Sequence, residues 1–429
     1  MKTVSVPRIL QQQPSFSEEK VLLNAERQEA WAKWQKIGLP GPHMEGWKYT
    51  NLRGLNDLSP ISPVLDVPSL PRIKEAATAV LVDGVFRSDL SNLEGLPAGV
   101  IVKSLKQALK EFPDFQANGY GQILKATGAV SSDHALVNLN SAVFSDGLFV
   151  HAPSHVKSDR PLHIILCGLA MVRYPRLFIK MEEGSSLEII ETSMGKGSGF
   201  TNLVTEIDAS KSASLQHLII QAESSASFHV AYQAARLAQN ASYRAFVLQQ
   251  GARLARREMG VSLGGSEAKA TLDALLMGAA GNHLDLTSFI DHAAPQTLSD
   301  SVVRMVLGEN ARGVFQGKVL VRPNSQKVDG NQLAKALLLS RSAEADIKPE
   351  LEIYADDVKC SHGAAVGELD EAQLFYLMTR GLTKDEARQL LIQAFFAEIL
   401  ERLPEGTLRT VAEAQVSAWL STAWKAALP

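Results

Sequence analysis

The segment Ser186-Leu-Glu-Ile-Ile190 is the first of four short β-rich phrases that recur at a constant spacing. The second residues of these phrases fall at positions 187, 215, 243 and 271, an offset of 28 each time. A second strand-like phrase follows each of them about half a period later, which predicts two strands per repeat. The other three first phrases are Ser214-Leu-Gln-His-Leu-Ile219, Ser242-Tyr-Arg-Ala-Phe-Val247 and Ala270-Thr-Leu-Asp-Ala-Leu275. The second phrases are Asn202-Leu-Val-Thr-Glu-Ile207, Phe228-His-Val-Ala-Tyr232, Met259-Gly-Val-Ser-Leu263 and His283-Leu-Asp-Leu-Thr287.

A strand-only repeat of this length cannot bury its apolar face alone, so it has to stack on its neighbours. The stacked arrangement is a parallel β-helix or a related solenoid. The repeat is weak in residue identity, and an antiparallel sandwich whose strands happen to have the same spacing is the alternative. Both interpretations make the middle of the chain all-β.

The chain before the repeats reads as a helical and mixed module. An amphipathic helix is predicted from Ser17 to Gly38, with Ser17 as its cap and Gly38 as its stop. A Pro/Gly-rich bend at 39–43 follows, and Ala79-Val-Leu-Val-Asp-Gly-Val-Phe86 has the pattern of a hairpin.

Helical periodicity returns after about Gly367. One helix is predicted at 370–379, and a second begins at the capping box Thr383-Lys-Asp-Glu386 and stops at Pro404. Trp419 and Trp424 lie in a further helical stretch. The predicted domains are therefore 1–145, 146–366 and 367–429. The apolar stripe of the second helix is Ala387, Leu391, Ala394, Phe395, Ile399 and Leu403.

Composition excludes several classes of function. The 429 residues carry a net charge of −3, with 45% hydrophobic and 21% charged residues, so no overall positive field favours nucleic acid or an anionic membrane. The first residues lack the apolar region of a signal peptide, and no apolar run approaches a membrane span. The two cysteines, Cys167 and Cys360, are too few for a disulfide framework. We expect a cytoplasmic protein that binds neither nucleic acid nor membrane.

Motifs for self-contained catalysis are weak. No Walker P-loop is present, and Gly260-Val-Ser-Leu-Gly264 matches a nucleophile elbow only in letters, because it lies in a strand phrase. Four acids could serve a β-helix carbohydrate enzyme, but they do not repeat at the period, so we interpret them as turn and surface residues. Three nearby arginines are interpreted as a solvated basic face. The acids are Asp273, Asp285, Asp291 and Asp300, and the arginines are Arg253, Arg256 and Arg257.

The segment Cys360-Ser-His362 follows a strand-like phrase and is the candidate metal site. Residues i and i+2 of an extended segment point to the same face, so a thiol and an imidazole are presented together. This pair suits iron, zinc or copper but supplies half of a four-ligand site, and a second chain would have to complete it. A buried cysteine beside a hydrogen-bonded histidine is the structural alternative.

The segment from Pro349 to Gly367, including Asp356-Asp-Val-Lys-Cys-Ser-His-Gly363, resembles the signature of the SufB/SufD family of the SUF iron–sulfur cluster assembly system. Gln373-Leu-Phe-Tyr-Leu377 and Thr379-Arg-Gly-Leu382 extend the likeness. Glu45-Gly-Trp-Lys-Tyr-Thr-Asn-Leu52 is similar to the N-terminal motif of the SufD branch. The resemblance implies a mainly β fold, with a right-handed parallel β-helix core between an N-terminal helical (α/β) module and a C-terminal helical module.

The same resemblance implies a non-enzymatic scaffold subunit. It would pair with a SufB-type chain through the β-helix end near 351–366 and carry a SufC-type ATPase on the region of about 373–403. ATP-driven closure of the ATPase pair would change the interface where a cluster forms, and the subunit would support cluster assembly and iron acquisition. His362 matches the histidine proposed to act with a SufB cysteine, and Cys360 matches the neighbouring thiol. The iron–sulfur cluster would be transient, with no cofactor held tightly by the lone chain.

Three functional classes therefore stand side by side. They are a SUF scaffold subunit, a β-helix carbohydrate enzyme, and a structural homo-oligomer whose solenoid ends pair. A homodimer of the lone chain is also expected under the first hypothesis, because an exposed solenoid end can pair with its own copy. Cys167 matches no family motif and is predicted to be a buried, small apolar residue.

Overall fold

A computed structural model describes residues 6–11, 23–58, 67–127, 134–279 and 281–422 of the chain. Its centre is a parallel β-solenoid with two strands in each coil. The strands are β1 (Ala77–Val82), β2 (Val85–Phe86), β3 (Ile101–Ser104), β4 (Leu148–Ala152), β5 (Leu162–Gly168), β6 (Val172–Arg173), β7 (Arg176–Met181), β8 (Ser186–Gly195), β9 (Phe200–Ala209), β10 (Ser214–Glu223), β11 (Phe228–Leu237), β12 (Ser242–Gln249), β13 (Leu254–Leu263), β14 (Lys269–Gly278), β15 (His283–His292), β16 (Leu298–Leu307), β17 (Arg312–Val321), β18 (Val328–Leu338), β19 (Glu344–Ile353) and β20 (Val358–Glu368).

Helices flank the solenoid on both sides. Three short 3₁₀ segments, Arg8–Leu10, Glu45–Trp47 and Leu52–Asp57, complete the N-terminal part. The α-helices are α1 (Asn24–Ile37), α2 (Leu105–Glu111), α3 (Pro113–Asn118), α4 (Gln122–Ala126), α5 (Ala135–Val143), α6 (Glu371–Thr379), α7 (Lys384–Leu400) and α8 (Thr407–Thr422). Among the helices that are described, none is long and apolar enough to cross a membrane.

Even-numbered strands from β8 to β20 form one sheet with β5, β1 and β2, and odd-numbered strands from β7 to β19 form the other with β4 and β3, while β6 pairs with β9. All neighbours from β5 onward pair in parallel, so the β-helix interpretation is confirmed and the antiparallel sandwich is wrong. The predicted hairpin is also confirmed, because β1 and β2 pair antiparallel around Asp83 and Gly84. Both turn residues have positive φ, as a tight hairpin turn requires.

The constant offset of 28 is wrong for the fourth phrase. Leu215 pairs with Leu187 and with Tyr243, 28 residues away in each case, but Tyr243 pairs with Ala270 rather than Thr271. Strand β12 has 8 residues where β10 has 10, and the corner that precedes β14 is one residue longer than the corner that precedes β12. The coil that runs from Tyr243 to Ala270 is therefore one residue shorter than the coil from Leu215 to Tyr243.

The interior of the solenoid is packed by alternating side chains of both sheets, mainly alanine, leucine, isoleucine and valine. The outer face of the even-numbered sheet is covered by α7 and α8, and the outer face of the other sheet by the N-terminal helices. The predicted capping box at Thr383 and Glu386 is present at the start of α7. The predicted stripe is partly wrong, because Ala394 is exposed and the buried residues of α7 are Ala387, Ile392, Phe396, Ile399 and Leu400.

The first helix begins later than the sequence pattern predicted. Helix α1 begins at Asn24, and the cap at Ser17 lies outside the described residues, as does Trp424.

Cys167 is buried on β5, as predicted. Strand β1 joins the solenoid by pairing with β5, although it precedes position 146 in the chain. The three predicted domain ranges remain predictions.

A buried ion-pair network fastens the motif Glu45–Thr50 to the solenoid. Arg256 of β13 pairs with Asp285 of β15 and donates from Nη2 to the backbone oxygen of Gly46 at 2.7 Å. Its guanidinium carbon lies 4.2 Å from the centroid of the Trp47 ring. Thr50 donates to the same Asp285 carboxylate. The arginine therefore binds both an acid on the next coil and a segment that precedes it by about 210 residues in the sequence.

The solvated basic face predicted for the three arginines is wrong for two of them. Arg256 and Arg257 are each 1% exposed, whereas the Arg253 side chain is 53% exposed. Arg257 points into the solenoid and donates to Glu191 Oε1 at 2.7 Å. An opposite charge on another coil compensates for the loss of water around each buried guanidinium.

Glu191 and Arg257 belong to a polar cluster inside the solenoid. The His217 imidazole lies 3.6 Å from Glu191 Oε2, and its Nδ1 contacts the Tyr243 hydroxyl at 3.2 Å. The Gln233 amide donates to that hydroxyl at 2.5 Å. Burial alone would raise the pKa of Glu191, but Arg257 and His217 hold this pKa at about 2. The carboxylate is therefore ionised at neutral pH.

Replacement of Arg256 tests the attachment of the N-terminal motif. Arg256→Met leaves the Asp285 carboxylate buried without its cation, so we expect the free energy of unfolding to fall by about 3–5 kcal/mol. Arg253→Met is the control, because Arg253 is exposed, and it should change the value by less than about 1 kcal/mol. Equilibrium denaturation by urea measures both, and equal effects of the two substitutions would contradict the buried attachment.

Candidate functional site

The solenoid ends at β19 and β20, which have a neighbouring strand on one side only. Their backbone donors and acceptors on the other side are unpaired in the sheet, so this end is a template for another β-strand. Three apolar side chains at this end are exposed: Ile353 by 40%, Tyr354 by 61% and Val366 by 51%. Most of β20 is exposed as well. The end therefore combines open strand edges with apolar surface.

Cys360 and His362 both lie on β20. In the register, Cys360 pairs with Gly330 of β18 and His362 pairs with Gln332. Cys360 packs against the apolar interior, and the alternation of the strand directs His362 to the same face. The thiol is half-buried while the imidazole is exposed. Both predicted residues thus stand on one strand at the open end of the solenoid.

The surroundings of Cys360 favour the thiol over the thiolate. Burial raises the pKa of Cys360 above its ordinary value, and Asp329 adds to the rise, while a backbone hydrogen bond from Gly330 opposes it. Cys167 is more strongly affected, because burial raises the pKa of its thiol to about 11. A thiolate at Cys360 therefore needs an additional cation, such as a metal ion.

Beneath Cys360 lies a fully buried histidine that the sequence patterns did not single out. His292 ends β15, and its Nδ1 lies 2.7 Å from the Thr297 hydroxyl, while its Nε2 lies 2.8 Å from the Ser299 hydroxyl. Burial lowers the pKa of His292 to about 4. The imidazole is therefore neutral at physiological pH.

An open cavity of about 720 Å³ lies beside His362. Part of its wall is polar: Ser361 Oγ donates to Asn331 Oδ1 at 2.5 Å, and the Asn331 amide donates to Asp329 at 2.7 Å. Arg402, which follows α7, donates to Asp273 at 3.0 Å and to Asp300 at 2.7 Å. The cavity is thus lined both by strand β20 and by Arg402, which follows α7.

Within the described ranges, no three His, Cys, Asp or Glu side chains converge on a point that could hold a metal ion. Cys360 and His362 offer two donors of a kind that iron accepts. A metal ion held by this pair would need further ligands from elsewhere.

The interpretation of the four acids considered for a carbohydrate enzyme as turn and surface residues is wrong for three of them. Asp273, Asp285 and Asp291 are buried, whereas the Asp300 side chain is 48% exposed. Each of the buried acids is paired with an arginine: Arg402, Arg256 and Arg322 respectively. Because Arg402 also neutralises Asp300, none of the four is left as a free acid–base pair of the kind that a glycoside hydrolase uses. Ser262 lies within strand β13, away from any strand-to-helix turn.

A second exposed surface lies on α6 and the start of α7. Phe375 is 69% exposed, Tyr376 56%, Met378 42% and Leu390 45%. Asp370 caps α6 by accepting from the backbone amides of Ala372 and Gln373. A well-capped helix that leaves large apolar side chains in water is typical of a protein-binding surface.

Comparison with known proteins identifies the family. The family model described as "SUF system FeS cluster assembly, SufBD core domain" matches residues 165–395, and the SufBD N-terminal region matches residues 66–164. The chain belongs to the SufB/SufD family. The core match begins within β5 and ends within α7, so it covers the solenoid from β5 onward and both exposed surfaces.

Relatives of the SufB/SufD family align along most of the chain. An iron–sulfur cluster assembly SufBD family protein of Synechocystis is 30% identical over 92% of this chain and 90% of its own length. The iron–sulfur cluster assembly protein SufD of Escherichia coli is 29% identical over 92% of each chain. The chloroplastic protein ABCI7 of Arabidopsis thaliana is 30% identical over 80% of this chain and 73% of its own. Membership confirms the predicted family and supports a role in iron–sulfur cluster assembly.

The roles of Cys360 and His362 in this SufB/SufD family chain stay predictions. Sequence reasoning missed His292, Ser299 and Gly330, which line the interior next to Cys360. The signal that could have found these three residues is a polar side chain or a glycine at a strand position where the alternation predicts an apolar residue. Using that signal requires the pairing register of the strands, which varies from coil to coil.

Alkylation by iodoacetamide tests the difference between the two thiols. Cys360 is half-buried and Cys167 is buried with a pKa of about 11, so we expect Cys360 to react well ahead of Cys167 in the native chain. Mass spectrometry of digested peptides over a time course measures the two rates. Cys360→Ser should leave a chain that reacts only after denaturation, and rapid native labelling of Cys167 would contradict the burial.

Proposed function

We propose that this chain is a non-catalytic scaffold subunit of a SUF complex, on which an iron–sulfur cluster forms at an interface with a SufB-type chain. The observation that carries the proposal is the placement of Cys360 and His362 on an open edge strand of a SufB/SufD family solenoid. Iron and sulfide are the cargo of this site. The chain supports cluster assembly and iron acquisition and releases the cluster.

The partner at the open end is a SufB-type chain that supplies the remaining ligands. Two donors satisfy half of a four-coordinate iron, and an incomplete site at an edge strand is suited to completion by a second solenoid. Strand pairing with β20 or β19 would satisfy their free backbone groups, and the exposed Tyr354 and Val366 would be covered. The interface spans the strand end near 351–366. In the absence of that partner, the same end pairs with a second copy as a homodimer.

The partner at the C-terminal helices is a SufC-type ATPase. The exposed Phe375, Tyr376 and Leu390 lie within the region of about 373–403 that we assign to this contact. Aromatic side chains that are exposed in the free chain and buried on binding supply much of the affinity of an interface. ATP-driven closure of the ATPases then moves the helices relative to the cluster site.

We further propose that the chain works in the cytoplasm and that no cofactor stays tightly bound to the isolated subunit. The division into an N-terminal module at 1–145, a solenoid at 146–366 and a helical module at 367–429 is part of the same proposal. Each module has its own role: attachment to the solenoid, cluster assembly and ATPase docking.

Replacement of the exposed histidine tests the cluster site. His362→Ala in a complex co-expressed with its SufB-type and SufC-type partners should retain all three chains and lose iron and acid-labile sulfide by about tenfold or more, because a ligand is removed. Purification through a tag on this subunit, followed by iron and sulfide assays, measures the loss.

His43→Ala, at an exposed histidine of the N-terminal bend, is the control for the His362 experiment and should keep wild-type cluster content. Failure of both partners to co-purify with wild-type protein would refute the scaffold proposal. A His362→Ala complex with full cluster content would remove His362 from the site and leave the scaffold role standing.

Replacement of one exposed aromatic residue tests the ATPase surface. Phe375→Asp places a charge in the contact, so we expect the ATPase to bind about 30-fold more weakly or more, as for a lost hot-spot residue. Val85→Asp is the control, because Val85 is an exposed apolar residue on β2 and lies outside the assigned surface. Binding to purified ATPase by calorimetry measures both, and equal binding by the two variants would contradict this assignment.

A further inference from the structure

Strand β19 contains a proline, and no other strand that the structure describes contains one. This residue, Pro349, lies near the middle of the strand. Proline has no backbone N–H to donate, so within sheets it is confined to edge strands, to the first residue of a strand and to bulges. The proline of the solenoid therefore lies on one of the two strands that form its open C-terminal end.

The missing donor of Pro349 faces the open edge of β19. Successive residues of a strand direct their N–H and C=O groups to opposite sides. The Glu344 amide donates to the Ala311 backbone oxygen at 3.0 Å. At the other end of the strand, the Tyr354 amide donates to the Val321 backbone oxygen at 3.0 Å, and the register between β17 and β19 has no slip. Even-numbered residues of β19 therefore bond to β17, and odd-numbered residues such as Pro349 point away from it.

The open edge of β20 has no such gap. The Asp329 amide donates to the Thr297 backbone oxygen at 3.1 Å, so odd-numbered residues of β18 bond to β16 and even-numbered ones bond to β20. Gly330 stands opposite Cys360, and this register continues without a slip to the end of both strands. Of two residues that stand opposite each other in parallel strands, one bonds across the pair and the other points away. Even-numbered residues of β20, Cys360 among them, thus direct their N–H groups to the open edge.

The side chains of the two strands differ in the same sense. Proteins prevent strands from pairing at an edge by placing charged side chains or proline there. Strand β19 has both, whereas the segment 363–367 of β20 consists of glycine, alanine and valine and is mostly exposed. Small side chains let a second backbone approach closely. The charged residues of β19 are Glu344, Asp346, Lys348, Glu350 and Glu352.

We propose that the partner chain adds a strand to the open edge of β20 and that Pro349 keeps β19 out of this ladder. This inference rests on the proposed function and names the strand through which the SufB-type chain binds. The occupant is an edge strand of that chain, because a solenoid of the same family that meets this end also has open strand edges to pair. The backbone groups of Cys360 and His362 both face the open edge of β20. The added strand would therefore lie directly beside the two candidate ligands.

Hydrogen–deuterium exchange in the intact three-chain complex is the first experiment. Fragmentation of the peptides resolves single amides, and the even-numbered amides of β19, which bond to β17, are the internal reference for a paired strand. We expect the even-numbered amides of β20 to exchange as slowly as this reference. The odd-numbered amides of β19 should exchange at least about tenfold faster, because they have no partner. Protection of the odd-numbered amides of β19, or fast exchange at the edge of β20, overturns the proposal.

A matched pair of proline substitutions is the second experiment. Ala364→Pro removes an edge donor from β20, and Ala345→Pro removes one from β19, while both positions direct their N–H away from the neighbouring strand of this chain. We expect Ala364→Pro to bind the purified SufB-type chain at least about tenfold more weakly, because a ladder hydrogen bond is lost. Ala345→Pro should stay within about twofold of the wild type.

Thermal unfolding of both proline variants separates lost pairing from lost folding. Each should keep the wild-type Tm, since neither substitution removes a hydrogen bond within the chain. Equal losses of binding in the two variants, or wild-type binding by Ala364→Pro, overturn the proposal. If Ala364→Pro unfolds at a lower temperature, the exchange experiment on the wild-type complex decides. Failure of the wild-type chain to bind a SufB-type partner refutes the proposed function, whereas binding with a protected β19 edge refutes this inference alone.

Discussion

The parallel backbone ladder is the constraint on which the rest of the structure depends. Each strand of the solenoid satisfies its donors and acceptors through the coils before and after it, so only the terminal strands are left open. At the C-terminal end this exposes β19 and β20 on one side, and the interior-facing column that contains Cys360 reaches the surface there. The termination of the ladder thus presents interior positions to a partner.

Interior positions of the ladder serve two purposes. Alanine, leucine and valine fill most of them and hold the sheets together, while charged and polar residues occupy a few and are paired across coils, as Glu191 is with Arg257. Removing one member would leave a bare buried charge, so such pairs fix neighbours to each other. Around Cys360 the same interior carries Gly330 and the hydrogen-bonded pair of His292 and Ser299.

Local patterns in the sequence predicted local structure well. Two strands per repeat, the hairpin at Asp83 and Gly84 and the capping box at Thr383 all follow from interactions within a few residues. The burial of Arg256 could not be predicted, because its partners are Asp285 on the next coil and a backbone oxygen about 210 residues away. His292 was missed for the same reason. Sequence patterns pointed only to the part of the candidate site that lies on a single strand, namely Cys360 and His362.

In the proposed function, an ATPase on the C-terminal helices acts on the cluster site through a mechanical link, and Arg402 contacts both the even-numbered sheet and the cavity beside His362. It follows α7, whose apolar face packs on the even-numbered sheet, and its guanidinium donates to Asp273 and Asp300 on β14 and β16. The same residue lines the cavity beside His362. In that proposal, a displacement of α7 by a bound ATPase would be transmitted to the wall of the cavity, because the helices and the sheet share both an apolar contact and this ion pair. The end of α7 and the wall of the cavity are therefore linked by contacts within one chain.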